Sequence, residues 1–327
     1  MDNLYIKQFP ELMSGKTILY VHGFGSSGQS GTVARLRQVL PNARVVAPDL
    51  PLHPEEALQL LKNVCEKEQP SLIIGISMGG MYAEMLYGFD RILTNPAFGI
   101  ADTMQSHGLT GKQQFFSLRQ DGVQEFYVDK SLVKEYRLMT DNNFAHAQEE
   151  GEADRVFGLF GDEDPLVHTY DVYCQHYSQA VRFHGEHRMD DRSFMHSVVP
   201  VIRWIDDRQE HRERPIIYIG VETLMDSYKN PASSSQKAVR LLIEHYAVYF
   251  VASVDDCAGT SAWLEKYINV PAWNHTIFAN QRQLLYGDYL IEGIETKDTM
   301  ATRLAYGSDT FKTWEDIIEY FSRLGGQ

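Results

Sequence analysis

The sequence predicts an α/β protein of two domains, a mostly parallel sheet with covering helices followed by a smaller α/β unit, and three observations carry that expectation. The chain has 327 residues, more than the roughly 250 at which a single hydrophobic core stops growing. Through the first 95 residues, short apolar runs alternate with helix-like stretches, the rhythm of repeated β-α units. Further on, the run from Asp206 to Arg214 contains no apolar side chain, which is the composition of a linker.

The elements follow in order. Strands are expected at Thr17 to Val21, Arg44 to Ala47, Leu72 to Ile74 and Ile92 to Thr94, where apolar residues cluster between polar turns. Helices are expected between them at Thr32 to Leu40, Glu55 to Lys67 and Gly79 to Tyr87; in the second, Ala57, Leu58, Leu60, Leu61 and Val64 are read on one face. From Pro96 to Ala153 the rhythm stops and the chain turns polar, with aromatic pairs at Phe115-Phe116 and Phe126-Tyr127. A stretch of that length between strands reads as a functional insertion. Strands resume at Val156 to Phe160 and Val181 to Phe183, and a helix follows over Val198 to Ile205. The expected division is therefore a first domain over 1–208 with its insertion near 96–153, a linker over 209–214, and a second domain over 215–327. In the second, Pro215 to Ile219, Ala247 to Ala252 and Tyr289 to Ile291 read as strands, and Ser235 to His245 and Ser261 to Tyr267 as helices.

Composition excludes several classes of function. With 44 acidic and 30 basic side chains the net charge is −14, the wrong sign for tracking phosphates, so no nucleic-acid partner is expected. The 43% hydrophobic content excludes a disordered chain. Cys65, Cys174 and Cys257 form neither a disulfide framework nor a paired-cysteine metal site. No run of about 18 apolar residues occurs, and the first residues lack the basic and apolar regions of a signal peptide. The expectation is a cytoplasmic protein with no membrane partner, no metal and no cofactor.

Gly75-Ile76-Ser77-Met78-Gly79 lies between an expected strand and an expected helix. The pattern needs that context: a sharp strand-to-helix turn exposes the serine, and glycines on either side let backbones approach. A serine hydroxyl needs a base, and the base an orienting acid, in the chain order serine, acid, histidine. Asp164, after the strand ending at Phe160, is the preferred acid and Asp162 its rival. His187, beyond the strand ending at Phe183, is preferred over His168, His184 and His196. Oxyanion stabilisation needs preorganised N–H donors. The Phe24 N–H, in the turn His22-Gly23-Phe24-Gly25, and the Met78 N–H are the candidates.

These segments, Tyr20 to Ser27, Gly75 to Gly80, Leu93 to Ala97, Gly161 to Val167 and Gly185 to His187, together resemble the YqiA-type esterases of the α/β-hydrolase superfamily over about residues 16–205. The resemblance implies an α/β-hydrolase fold with a cap insertion, and a Ser77, Asp164 and His187 triad that cleaves a small-molecule ester or thioester through an acyl-enzyme. A non-catalytic binding or scaffold protein is the alternative.

Residues 215–323 resemble, in Trp263 to Ile268, Gly287 to Ile291 and Phe311 to Glu315, the deoxy-5′-nucleotidase branch of the haloacid dehalogenase (HAD) superfamily. That family needs an aspartate nucleophile after its first strand, where this chain has Gly220, and a second aspartate where it has Glu222. Its late acidic pair falls on Glu292-Gly293, its lysine on Thr260, and only Ser253 keeps its type. The resemblance thus implies a HAD-like domain without catalysis, kept for packing, homo-oligomerisation or ligand sensing; a nucleotide phosphatase is the disfavoured alternative.

Overall fold

The computed structural model describes residues 6–268, 275–293 and 299–324; residues 1–5, within the amino-terminal segment read above for a signal, lie outside them. The chain divides into two units, Met1–Asp206 and Asp207–Gln327. The boundary falls inside a helix that runs on to Gln209, so the first part of the charged run is helical rather than linker. Its two aspartates turn to different partners. Asp206 is buried and accepts from Lys16 Nζ at 2.8 Å, whereas Asp207 accepts from Arg212 and Arg214 at 2.5 to 3.0 Å.

The first unit contains strands β1 (Thr17–Val21), β2 (Arg44–Val46), β3 (Leu72–Ile76), β4 (Arg91–Thr94), β5 (Gly111–Gln114), β6 (Glu125–Val128), β7 (Val156–Gly161) and β8 (Ala180–Phe183). Its helices are α1 (Gly31–Val39), α2 (Pro54–Glu68), α3 (Met78–Glu84), α4 (Ile100–Ser106), α5 (Lys130–Thr140), α6 (Tyr170–Cys174), α7 (Asp191–Ser193) and α8 (Val199–Gln209). Six strands form one parallel sheet in the order β2-β1-β3-β4-β7-β8. β1, β3, β4 and β7 are almost wholly buried, as a parallel sheet covered on both faces requires. The fold is that of an α/β-hydrolase. Because β2 and β3 flank β1 on opposite sides, the strand order reverses there and leaves a crevice at the carboxyl ends of β1 and β3.

The insertion is more ordered than its composition predicts. It holds α4, α5 and an antiparallel hairpin of β5 and β6. Gly-Lys-Gln-Gln in β5 lacks the apolar alternation that marks a strand, so the hairpin has no sequence signal. Asp129 caps α5 by accepting from the Leu132 N–H at 2.8 Å, and Leu132, Tyr136 and Met139 pack into the main core.

Helix α3 stops at Glu84 instead of Tyr87. Glu84 is fully buried and accepts from Asn143 Nδ2 at 3.0 Å, the Phe144 N–H at 3.1 Å and Tyr177 Oη at 2.6 Å, binding the insertion to the sheet. Beneath it, fully buried Arg91 donates to the Glu84 carbonyl at 2.6 Å and pairs with Glu152. Such a network stabilises only while every member keeps its partner.

The turn after β1 is fixed by His22, which is buried. Its Nε2 accepts from the Leu50 N–H at 3.0 Å, so the proton sits on Nδ1 and is donated to the Gly23 carbonyl at 2.9 Å. Burial pushes its pKa below the ordinary 6.5. Protonation would also cost the bond from Leu50.

The second unit has strands β9 (Ile216–Gly220), β10 (Ala247–Ala252), β11 (Thr276–Phe278), β12 (Tyr289–Glu292) and β13 (Thr302–Ala305), with helices α9 (Ser235–His245), α10 (Cys257–Trp263) and α11 (Trp314–Arg323). Its sheet, order β11-β10-β9-β12-β13, is also parallel. Trp314, fully buried in this unit's own core, donates from Nε1 to the Thr223 carbonyl at 2.9 Å. Strands β11 and β13 escape the sequence pattern because they are short and half-exposed.

Two outcomes follow from the buried groups. Glu152→Ala strands the Arg91 charge and should destabilise the first unit by about 3–5 kcal/mol in denaturant titrations of the full chain; a loss below about 1 kcal/mol would mean the ion pair contributes little. For His22, the unfolded chain gains a proton below pH 6.5 that the folded chain refuses, so stability falls as pH falls from there. The melting temperature of the first unit should therefore drop more steeply between pH 7 and about 5.5 in the wild type than in His22→Gln, and parallel slopes would contradict a neutral His22.

Candidate active site

Ser77 sits where β3 breaks into α3, with backbone angles φ 55° and ψ −120°, a region L-residues enter only under constraint. The constraint is steric. A Cβ on Gly79 would lie 2.0 Å from the Val21 carbonyl oxygen, and one on Gly75 would lie 2.3 Å from the Gly79 oxygen. With those atoms missing, the first turn of α3 presses against the end of β1. The Ser77 carbonyl accepts from the N–H groups of Gly80, Met81 and Ala97 at 2.9 to 3.2 Å, and the Ser77 N–H donates to the Thr94 carbonyl at 2.9 Å. The side chain makes no cap of its own to α3 and remains available.

Its Oγ lies 3.0 Å from His187 Nε2, and His187 Nδ1 lies 2.7 Å from Asp164 Oδ2. Asp164 can only accept as a carboxylate, so Nδ1 carries the proton and Nε2 is left to accept from the Ser77 hydroxyl. The second oxygen of Asp164 takes the N–H groups of Leu166 and Val167 at 2.8 and 3.1 Å. Burial alone would raise the Asp164 pKa; the His187 hydrogen bond and the two backbone donors outweigh it and hold the carboxyl below its ordinary value. Asp164 is thus fixed in the charged form that orients the ring.

The other candidates are placed elsewhere. Asp162 accepts from the Gly185 N–H at 3.0 Å and lies 3.3 Å from His184 Nδ1, an exposed pair on the rim. His168 is exposed after β7, and His196 lies in the helical turn Phe194–Val198. Across the crevice, a Cβ on Gly23 would lie 3.8 Å from Ser77 Oγ. Among the described residues, the Phe24 and Met78 N–H groups have no hydrogen-bond acceptor. Beside them is an apolar cavity of about 20 Å³ lined by Phe24, Leu50, Leu52, Met78, Phe126 and Tyr136, among others, room for about one water.

One residue of this site, within the segment Leu93 to Ala97, has a role that the sequence does not forecast. Asn95, buried at the end of β4 with φ 43°, accepts from the Gly161 N–H at 2.7 Å and donates from Nδ2 to the Glu186 and His187 carbonyls, both at 3.2 Å. It ties the histidine loop to β4 and β7. On the far side of the same loop, Arg35 donates to the Met189 carbonyl at 3.1 Å and pairs with Asp191 at 2.5 Å.

In the second unit, the described residues at the carboxyl edge of β9 and β12 form no comparable arrangement. A side chain on Gly220 would meet Glu222 Oε1 at 2.3 Å and Arg282 Nη1 at 2.9 Å. Arg282 holds Glu222 in a two-point ion pair at 2.5 and 3.0 Å and lies 3.5 Å from buried Glu292. Ser253 is bonded to Asp255 and Asn280, and Thr260 lies on α10. A divalent cation does not fit this edge, because a guanidinium already engages its carboxylates. Among the described residues no group of three or more His, Cys, Asp or Glu side chains could hold a metal, and no helix is long and apolar enough to cross a membrane.

Comparison with known proteins finds relatives over parts of the chain. A UPF0227 protein of Serratia proteamaculans (strain 568) is 34% identical over 99 residues, 27% of this chain and 54% of that protein. A Vibrio phage KVP40 protein named "Putative 5'(3')-deoxyribonucleotidase" is 25% identical over 105 residues, 29% of this chain and 61% of that protein. The chain thus spans less than two thirds of the length of these curated relatives. Among solved structures, the thioesterase domain from the curacin biosynthetic pathway aligns with a TM-score of 0.35 and 17% identity over 55% of this chain and 88% of that one. The family model described as "Uncharacterised protein family (UPF0227)" matches residues 17–197, and the chain belongs to that family.

Proposed function

We propose that the first unit is a serine hydrolase that cleaves a small-molecule carboxylic ester or thioester. The observation that carries this reading is the hydrogen-bonded series Ser77, His187, Asp164, at 3.0 and 2.7 Å, on a strained turn beside two N–H groups without acceptors.

Ser77 Oγ attacks the substrate carbonyl carbon as His187 Nε2 takes its proton. Asp164 stabilises the imidazolium and keeps the ring in the productive tautomer. The Phe24 and Met78 N–H groups point at the oxyanion of the tetrahedral state, each donor contributing about 10²–10³ in rate. His187 then returns the proton to the departing alcohol or thiol, leaving an acyl group on Ser77. Water, deprotonated by the same nitrogen, releases the acid and restores the serine.

The second unit is read as non-catalytic. What supports this is the Glu222–Arg282 pair, which fills the space a nucleophilic side chain at position 220 would need. Packing, self-association or ligand sensing are the uses read for it.

A fluorophosphonate probe should label the wild type and not Ser77→Ala, and Asp164→Asn should lower kcat on an aryl ester by about 10⁴. Equal labelling of wild type and Ser77→Ala would overturn the reading.

A further inference from the structure

A net charge of −14 sets the long-range field of this chain against anionic substrates, so a substrate of that sign needs a fixed local cation. The rim of the Ser77 site holds one. Ser77 Oγ is bonded to His187, and Arg188 is the next residue. The Arg188 guanidinium lies over the Phe116 ring at 4.7 Å. Phe116 donates its N–H to the Gly25 carbonyl at 2.7 Å, and its ring edge lies 2.9 Å from where a Gly25 Cβ would be. Gly23, two residues before, faces Ser77 Oγ. These contacts connect Arg188, through Phe116, to the turn that carries Gly23 and Phe24.

The charge state of that side chain separates it from its neighbours. Arg35 is neutralised by Asp191 and Arg119 by Asp121. Arg188 is exposed and, among the described residues, has no carboxylate partner and no hydrogen bond; the face of Phe116 is its contact. Stacking on an aromatic face orients a guanidinium while leaving its in-plane N–H donors open, the geometry in which arginine takes a carboxylate or a phosphate at two points. The backbone beneath it is held from both sides, by Asn95 on the Glu186 and His187 carbonyls and by Arg35 on the Met189 carbonyl.

We propose that Arg188 is a specificity-determining residue and that the natural ester or thioester carries an anionic group, carboxylate or phosphate, near the scissile carbonyl. This rests on the serine-hydrolase reading. An arginine stacked only for stability would alter melting behaviour and leave substrate preference untouched.

The test uses the full chain and two matched pairs of probes. One pair places a carboxylate on the acyl side, p-nitrophenyl hemisuccinate against p-nitrophenyl butyrate. The other places a carboxylate on the leaving group, 4-acetoxybenzoate against its methyl ester. In at least one pair, Arg188→Gln should lower the anionic-to-neutral ratio of kcat/KM about tenfold or more, chiefly through the KM of the anionic member. Arg188→Lys should recover part of that ratio, and about 0.5 M salt should erode it in the wild type. The pair that responds identifies the side of the substrate that bears the charge. Ratios in Arg188→Gln within about twofold of wild type in both pairs would overturn the proposal. Hydrolysis that is absent in the wild type for every probe, or equal in Ser77→Ala, would instead overturn the underlying reading.

Discussion

The approach of α3 to the end of β1, closer than any side chain permits, sets the geometry of the whole first unit. At Gly79 the missing Cβ would lie 2.0 Å from the Val21 carbonyl oxygen, and at Gly75 the crowding comes from α3 itself. Because these contacts are backbone to backbone, no rotamer change can relieve them, and only glycine satisfies them. The tight approach forces Ser77 into its strained angles. It also brings the amino end of α3 beside the turn after β1, so that the Met78 and Phe24 N–H groups, from elements far apart in sequence, share one crevice. The strain at Ser77 persists because its carbonyl takes three N–H donors and its N–H a fourth bond.

The histidine is placed by a different device. His187 sits in a loop with no regular structure of its own, yet the loop has little freedom. Asn95 grips two of its carbonyls from the sheet, and Arg35 grips a third from α1. Three strand ends therefore converge on one imidazole: β4 through Asn95, β7 through Asp164 and β8 through the loop itself. Asp164 meets the ring with one oxygen while the other takes two backbone N–H groups, so the histidine and the fold hold its charge together.

Much of this was legible in the residues, and the exceptions have physical reasons. The glycine-flanked serine between strand and helix carries local information, since its turn chemistry depends only on neighbours. The sheet strands of the first unit were legible because burial on both faces makes them continuously apolar. The choice between Asp162 and Asp164 depends on how one loop folds back, which two adjacent carboxylates cannot disclose. Asn95 was hidden because its role lies in contacts with residues 66 and 91 to 92 positions away. The β5–β6 hairpin was hidden for the opposite reason: its pairing is local but polar. In the second unit the pairing of Arg282 with Glu222, 60 residues apart, leaves no trace in sequence spacing.

Both sheets are wholly parallel, and that has a consequence for how the chain reaches this structure. No two neighbouring strands of either sheet can be joined by a tight turn; each pairing waits for a crossover to form and return. The junction of β4 with β7 must enclose the entire insertion, from Pro96 to Arg155, before Leu93 meets Gly158. Closing such loops costs chain entropy ahead of any reward, so folding of the first unit is governed by long-range encounter. The β5–β6 hairpin, a local antiparallel pair, can form within about 1–10 μs, well ahead of the sheet that will carry it. The insertion thus holds the one local strand pairing of the first unit, while the strained serine turn needs β1, β3 and β4 together.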